Sequence, residues 1–215
     1  IQDEINQRLE LFKTKGVPNY FGAQRFGNNN ENLYQALKLY QTGKRPRNRQ
    51  KASMYLSASR SYLFNHMLAK RVVADSWNQP IPGEVFGFSG SLRGFSQENT
   101  DEEAQRFQEN DIHPTCAMWG RGEPLSKLDL LSIEKEIVEQ TPVFAEGIEK
   151  QGMKQERRVT RLLLPELTYQ WLADDVLELN FQLASGYFAT SVLRELGNIT
   201  EADREIMYST EGKPQ

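Results

Sequence analysis

The sequence predicts an α+β fold in which helices and strands are segregated along the chain. Three observations carry this prediction. Apolar residues recur at helical spacing through much of residues 1–76. Glycine, proline and aromatic residues then crowd into residues 79–95, a texture typical of short antiparallel strands with tight turns. Residues 177–183 alternate strictly between apolar and polar side chains, which is the pattern of a strand with one buried face.

Composition excludes several classes of protein. Of the 215 residues, 38% are hydrophobic and 26% are charged, so the chain has material for a core. No apolar run approaches the roughly 20 residues of a membrane helix, and we expect a cytoplasmic protein without a membrane partner. A single cysteine and two separated histidines give no basis for disulfides or a structural metal. Because the net charge is −3, any contact with nucleic acid must be local.

The first helix is predicted over about the first dozen residues, with an apolar stripe of Ile1, Ile5, Leu9 and Phe12. Gly16 ends this helix, because glycine readily adopts the backbone conformation that follows a helix C-terminus.

Residues 16–27, GVPNYFGAQRFG, form the most informative segment. Pro18 prevents the helix from resuming, and Gly22 and Gly27 permit close approaches that a Cβ atom would forbid. Between these residues lie aromatic, amide and guanidinium groups: Asn19, Tyr20, Phe21, Gln24, Arg25 and Phe26. Such groups suit an extruded base or a sugar-phosphate backbone. The alternative is a tight connection whose aromatic rings fill a core.

Two further helices and a basic run follow. A polar capping run at residues 28–30 precedes a helix over 31–42, which Gly43 ends, and a long helix spans about 52–76. Between the helices lies a basic run of Lys44, Arg45, Arg47, Arg49 and Lys51. This run either contacts phosphates or is a solvated loop. A looser basic segment at residues 154–161 also has two interpretations: it either contacts phosphates or is a solvated helix end.

The middle of the chain is predicted to be mainly helical. Thr100 and Glu103 form a possible capping box for a helix reaching about residue 110. Residues 112–122 are predicted to be a loop in which Trp119 either stacks on a base or anchors the loop. Helices are predicted over 125–139 and 143–150.

The last third of the chain contains the alternating strand at 177–183, a turn at 184–186 and a helix over 187–196. The tail, residues 200–215, is expected to be frayed. Asp174 and Asp175 indicate a solvated turn rather than a catalytic pair, and Glu134 and Glu136 indicate a solvated helix face. Asn65 and His66 are interpreted as hydrogen-bonding groups rather than ligands.

Three segments, in the same order, resemble the TruD-type tRNA pseudouridine synthases. They are residues 16–27, residues 57–68 (SASRSYLFNHML) and residues 177–196, which contain ASGYFATSVLREL. The resemblance implies a mixed α/β catalytic domain interrupted by a mostly helical TRUD domain, with a positively charged cleft between the two. Residues 1–27 and 161–199 would then belong to the catalytic domain, and residues 28–160 would form the insertion.

The resemblance also implies a function. It predicts an isomerase that converts a uridine, at position thirteen of certain transfer RNAs, to pseudouridine without a cofactor. The base must first leave its stack. Phe188 matches the family's substrate-contacting phenylalanine, the alternative being a buried ring at a helix start. Asn19 and Phe21 would line the same cleft, unless they serve as a loop-fixing amide and a core ring. The expected partner is transfer RNA, contacted by the basic run, and the protein is expected to be a monomer.

No segment resembles the family's Gly-x-Lys-Asp active-site motif, so no catalytic residue is assigned. We expect the catalytic aspartate in an upstream part of the same catalytic domain, which would pack against this chain. The 215-residue piece alone is therefore expected to be inactive. The alternative function is a non-catalytic RNA-binding or helical interaction module that keeps the fold without the chemistry.

Overall fold

The structure, a computed structural model, describes residues 1–96 and 100–197 and confirms the predicted α+β class. The helices in these ranges are α1 (Gln2–Lys15), α2 (Glu31–Thr42), α3 (Arg49–Val73), α4 (Asp101–Gln108), α5 (Leu128–Gln140), α6 (Pro142–Lys150) and α7 (Ala189–Arg194). The strands are β1 (Val17–Pro18), β2 (Val85–Gly87), β3 (Gly94–Ser96), β4 (His113–Met118), β5 (Glu156–Val159), β6 (Arg161–Leu162), β7 (Thr168–Ala173) and β8 (Val176–Asn180).

A four-stranded antiparallel sheet in the order β3-β2-β4-β5 supports the larger core. Helix α3 packs on β4 and is flanked by α2, α5 and α6. Its side chains Leu63, Phe64 and Met67 are fully buried there. This long helix is therefore the centre of the helical part of the molecule.

A smaller core joins the two ends of the described chain. Leu9 and Phe12 of α1 pack with Leu162, Leu164 and Val192. The short pair β1–β6 and the hairpin β7–β8 border this cluster. The second cluster thus draws on the segments before residue 18 and after residue 161. The domain boundaries stay a prediction.

Two glycines in residues 16–27 have the roles that the sequence predicts. Gly16 has φ 77° and donates its N–H to the Phe12 carbonyl, which ends α1. A Cβ atom at Gly16 would lie 2.4 Å from the Leu162 carbonyl oxygen, so β1 and β6 meet too closely for a side chain. At Gly22 a Cβ atom would lie 2.8 Å from Thr190 Oγ1, so the segment also approaches α7 closely.

Several helix limits are confirmed. Helix α2 has the predicted bounds and ends at Gly43 in the left-handed conformation, and the Thr100–Glu103 capping box begins α4. Asn48 caps α3 by accepting from the backbone N–H groups of Gln50 and Lys51. The capping role predicted for residues 28–30 is wrong: Asn29 and Asn30 adopt positive φ angles, and α2 has no side-chain cap bond.

The prediction of a loop at 112–122 is wrong. Residues His113–Met118 form β4, every residue of which is buried. A strand covered on both faces shows no alternation, and Pro114 made the segment look like a turn. Trp119 is 7% exposed and donates its Nε1–H to Glu149 Oε1 at 2.8 Å, so it anchors the loop.

Charged residues account for the other corrections. The basic segment at 154–161 is not a solvated helix end: it contains β5 and β6, and its three arginines, Arg157, Arg158 and Arg161, are buried. Glu134 is fully buried and pairs with Arg157 at 2.8 Å, whereas Glu136 is on the surface as predicted.

Ile1 is 93% exposed and does not belong to the buried stripe of α1 that the sequence predicts. The predicted tail at 200–215 lies outside the described residues.

Candidate functional site

A cleft of about 430 Å³ opens where the segment 16–27, α3 and the turn at residues 185–187 meet. Its walls combine aromatic, aliphatic, hydroxyl and guanidinium groups. The lining residues used below are Phe21, Arg25, Ser57, Arg60, Arg158 and Tyr187.

Hydrogen bonds hold Phe21 at the cleft wall. The Asn65 side chain accepts from the Phe21 backbone N–H at 2.9 Å and donates to the Phe21 carbonyl at 3.0 Å. A side-chain amide can satisfy both groups of one residue in this way, as a neighbouring strand would. Asn65 therefore ties α3 to the segment 16–27.

Ring contacts bring the third segment to the same place. The Phe21 ring meets Phe64 and Phe188 edge to face, with centroids 5.6 and 5.9 Å apart. The Ser191 hydroxyl donates to the Tyr20 carbonyl at 2.9 Å. The three sequence segments thus converge around one phenylalanine ring.

Two arginines lie over this ring. The guanidinium carbon of Arg158 is 4.0 Å from the Phe21 centroid, and that of Arg25 is 5.2 Å from it. Burial lowers the pKa of Arg158 to about 10; Tyr187 opposes this shift and the Arg25 charge adds to it. Burial also lowers the pKa of Arg25. Both cations are thus held in a poorly solvated place.

Arg60, a third cation of the cleft, is fully engaged inside the protein. It donates to the carbonyls of Trp119, Met118 and Lys154 and pairs with Glu156 at 2.7 Å. Its bonds join α3 to the end of β4 and the start of β5, so Arg60 supports the wall of the cleft.

The structure brings Asn19, Phe21 and Phe188 together, in different settings. Asn19 is 2% exposed; its amide donates to the Val159 carbonyl at 2.8 Å and its Oδ1 accepts from Arg158 Nη2 at 2.7 Å. Phe21 is buried but lines the cleft. Phe188 is half-buried immediately before α7 and lines a smaller hollow of about 160 Å³, to which Arg25 also contributes.

The basic run lies at the entrance to α3. All five cations are exposed, and within residues 1–96 and 100–197 none of them forms an ion pair. Arg49 and Lys51 stand in the first turn of α3 rather than in the loop. Arg49 precedes Ser53, Leu56 and Arg60 at helical spacing, so it lies on the face of α3 that lines the cleft further along the helix.

Sequence reasoning missed Arg158 as a cleft residue. Successive side chains of a strand point to opposite faces. Arg157 accordingly faces Glu134, while Arg158 faces the cleft. Recognising β5 in the sequence would have separated these two arginines.

Acidic groups are absent from the described lining of the cleft, although Glu156 pairs with the lining residue Arg60. None of the residues described as lining the cleft is Asp or Glu. Within residues 1–96 and 100–197, no three His, Cys, Asp or Glu side chains come together as metal ligands would. The lining of the cleft is therefore cationic and aromatic.

No helix within the described ranges has the length and apolar character to cross a bilayer.

The fold and this cleft define an α+β protein whose helices pack on a sheet beside a cationic, aromatic pocket. The family model of tRNA pseudouridine synthase D (TruD) matches residues 31–196. The chain belongs to the TruD family.

Curated relatives carry the same family name. A tRNA pseudouridine synthase D of Hydrogenovibrio crunogenus is 41% identical over 201 residues, covering 94% of this chain and 58% of the relative. That of Methylococcus capsulatus is 44% identical over 195 residues, covering 90% of this chain and 55% of the relative. The chain thus spans a little over half the length of these relatives.

A solved structure supports the fold. The chain is similar to a crystal structure of a tRNA pseudouridine synthase D candidate from Methanosarcina mazei, with a TM-score of 0.60 and 19% identity. The match covers 90% of this chain and 65% of the other.

Proposed function

We propose that the protein containing this chain isomerises a uridine of transfer RNA to pseudouridine. The observation that carries the proposal is the convergence of the three family segments on Phe21, with Phe188 and two arginines around it. The curated relatives, each named tRNA pseudouridine synthase D, support the same reaction.

The reaction breaks the bond between uracil and ribose, rotates the base and rejoins it through carbon. It is an isomerisation, so atoms and electrons balance without a redox cofactor. The base must leave its stack, and the protein then has to supply aromatic and polar contacts in its place. The cleft offers such groups.

In this proposal the three predicted residues have different tasks. Phe188, which is half-buried, contacts the extruded base, because a partly exposed aromatic ring can replace base stacking. Phe21 forms the wall against which Phe188 packs. Asn19 is a positioning residue, since its side chain holds Arg158 and the Val159 carbonyl.

The basic run is proposed to contact the RNA backbone. The five cations of the run are exposed: Lys44, Arg45, Arg47, Arg49 and Lys51. Arg49 begins α3, the helix that forms one wall of the cleft. Phosphates approaching the cleft over this helix end would meet these charges first.

The chemical step needs a carboxylate that this cleft does not supply. Its described lining contains neither Asp nor Glu. We propose that the aspartate belongs to a part of the protein outside these 215 residues, which docks beside the cleft. Residues 1–27 and 161–199 would complete that catalytic domain, and residues 28–160 would form the insertion. By family resemblance the target is uridine thirteen of certain transfer RNAs.

The test compares two proteins on unmodified transfer RNA transcripts. The full-length protein should form pseudouridine, detected by mass spectrometry after nuclease digestion, and residues 1–215 alone should form none. Product from the short chain would show that the carboxylate lies within it. A full-length protein that binds transfer RNA without forming product would favour the non-catalytic RNA-binding module.

A further inference from the structure

Arg25 and Arg158 form a pair of like charges on one aromatic ring. Their guanidinium carbons lie 5.2 and 4.0 Å from the Phe21 centroid, and no carboxylate lines the cleft in the described part of the chain. Both guanidinium groups border the same ring, and the Arg25 charge helps to lower the pKa of Arg158. Two poorly solvated cations in one cleft repel unless an anion balances them.

Both arginines also have an unused donor. Within residues 1–96 and 100–197, four buried side-chain nitrogen or oxygen atoms lack a hydrogen-bond partner, and two of them are the Nε atoms of Arg25 and Arg158. Arg158 is 8% exposed, so water cannot satisfy it freely. A buried polar atom without a partner is rare in folded proteins, so these two mark a place where the described chain leaves positive charge unmatched.

The remaining bonds of the pair orient both side chains. Arg158 Nη2 donates to Asn19 Oδ1 at 2.7 Å and to the Gly186 carbonyl at 3.1 Å. Arg25 Nη1 donates to Ser57 Oγ at 3.0 Å. These partners are neutral, so they hold the guanidinium planes without cancelling their charge.

Three other buried arginines of the described chain, Arg60, Arg71 and Arg157, have carboxylate partners, whereas the buried Arg161 donates to His113 Nδ1 and to backbone carbonyls. Arg71 pairs with Glu84 at 2.8 Å, and Arg157 pairs with Glu134 at 2.8 Å. A carboxylate thus neutralises Arg71 and Arg157 inside the molecule. The pair at the cleft differs from them in facing a solvent-accessible space.

We propose that Arg25 and Arg158 together bind one phosphate group of the RNA backbone, adjacent to the nucleotide whose base enters the cleft. A phosphate presents several oxygens in different directions, so two guanidinium groups from separate elements can donate to it at once. The uracil base is neutral and could not balance two charges. This inference rests on the proposed function, because it takes RNA as the ligand.

The test is a coupling measurement in the full-length protein. A transfer RNA is assembled from synthetic pieces so that one phosphate at a time, on either side of the target uridine, is replaced by a neutral methylphosphonate. Affinity is measured for the wild type, Arg25→Gln and Arg158→Gln, with Arg121→Gln, an exposed arginine outside the cleft lining, as control.

One methylphosphonate should weaken wild-type binding about 10- to 100-fold, the loss expected for hydrogen bonds to a charged group. Each glutamine variant should bind unmodified RNA more weakly by a similar factor and show no further loss at that same phosphate. The Arg121→Gln protein should behave as the wild type.

The proposal is overturned if every methylphosphonate position weakens the glutamine variants as much as the wild type. That result would indicate that Arg25 and Arg158 pair with a carboxylate from another segment of the protein instead of with RNA. If either glutamine variant has a lowered urea-unfolding midpoint, Arg158→Lys, which keeps the charge, is measured at the same phosphate. Failure of the proposed function is distinguishable, because the wild type would then form no pseudouridine whatever the coupling shows.

Discussion

Phe188 is the residue whose exposure best separates a ligand contact from core packing. It is half-buried, whereas Phe86 of β2 is 1% exposed and packs against Phe95 and Phe107. A stacking contact with a base is worth about 1–3 kcal/mol, while truncating a core phenylalanine destabilises by about 3–5 kcal/mol.

Phe188→Ala in the full-length protein should therefore lower RNA affinity or turnover about tenfold or more, with little change in the urea-unfolding midpoint. Phe86→Ala, the matched control, should lower the midpoint strongly. A Phe188→Ala protein that is strongly destabilised yet binds and reacts normally would assign this ring to the core.

His113 makes stability depend on pH. Burial lowers its pKa from 6.5 to about 4, the Arg161 charge acts in the same direction, and Asp111 opposes it. Its Nδ1 accepts from Arg161 Nε at 2.9 Å, which requires an unprotonated nitrogen. Because the folded-state pKa is depressed, the stabilising contribution is present above the unfolded pKa and is lost as pH falls through the folded pKa.

We therefore expect the free energy of unfolding to decrease between about pH 6.5 and 4, measured by urea titration at a series of pH values. His113→Gln keeps a polar side chain but cannot titrate, so its curve should be flatter in this window. Parallel wild-type and variant curves would contradict the assignment.

At the scale of elements, the connection from α2 to α3 exposes most of its side chains and does not pack into the core. Asn48 caps α3, and the basic run lies on both sides of this cap. Each phosphate that the run neutralises contributes roughly 0.7 to 0.9 to the log–log salt slope of binding.

Replacing Arg45, Arg47 and Arg49 by alanine in the full-length protein should weaken RNA binding. The salt dependence should also flatten, by roughly 0.7 to 0.9 in slope for each phosphate that is no longer neutralised. The control replaces the exposed cations Lys15, Lys135 and Lys150, which lie on α1, α5 and α6. An unchanged slope in the first variant would make the run a solvated loop.

At the scale of the whole molecule, buried charges join the helical layer to the sheet. Glu134 of α5 pairs with Arg157 of β5, and it also accepts from the Ala117 backbone N–H and the Ser126 hydroxyl. Removing one partner of such a pair leaves a buried charge, which destabilises by about 3–5 kcal/mol.

Glu134→Ala in the full-length protein should therefore lower the free energy of unfolding by about 3–5 kcal/mol, measured by urea titration. The double variant Glu134→Leu with Arg157→Met should recover a large part of this loss, because neither charge then remains. A double variant no more stable than Glu134→Ala would show that the hydrogen bonds of the pair, and not only the balance of its charges, stabilise the fold.

Local patterns in the sequence were enough for the class of fold and for many of its elements. Gly43 and the Thr100–Glu103 box act within one turn, so the predicted α2 and α4 agree with the structure. The alternation in residues 177–183 located a strand, but β8 ends at Asn180 and does not reach residue 183. The three family segments also located several of the residues that line the cleft, because their side-chain types stand together in the chain.

Tertiary structure alone decided which charged residues are buried. Strand β4 is covered on both faces, so its sequence carries no period, and Arg157 and Arg158 acquire opposite roles from the face that each presents. The contact of Phe21 with Phe188 joins positions 167 residues apart, a distance that no local pattern spans. The sequence by itself determined the class of fold, the elements that have local signals and the chemistry available. Long-range packing determined the strands that are buried on both faces and the groups that face the cleft, because those contacts join distant positions.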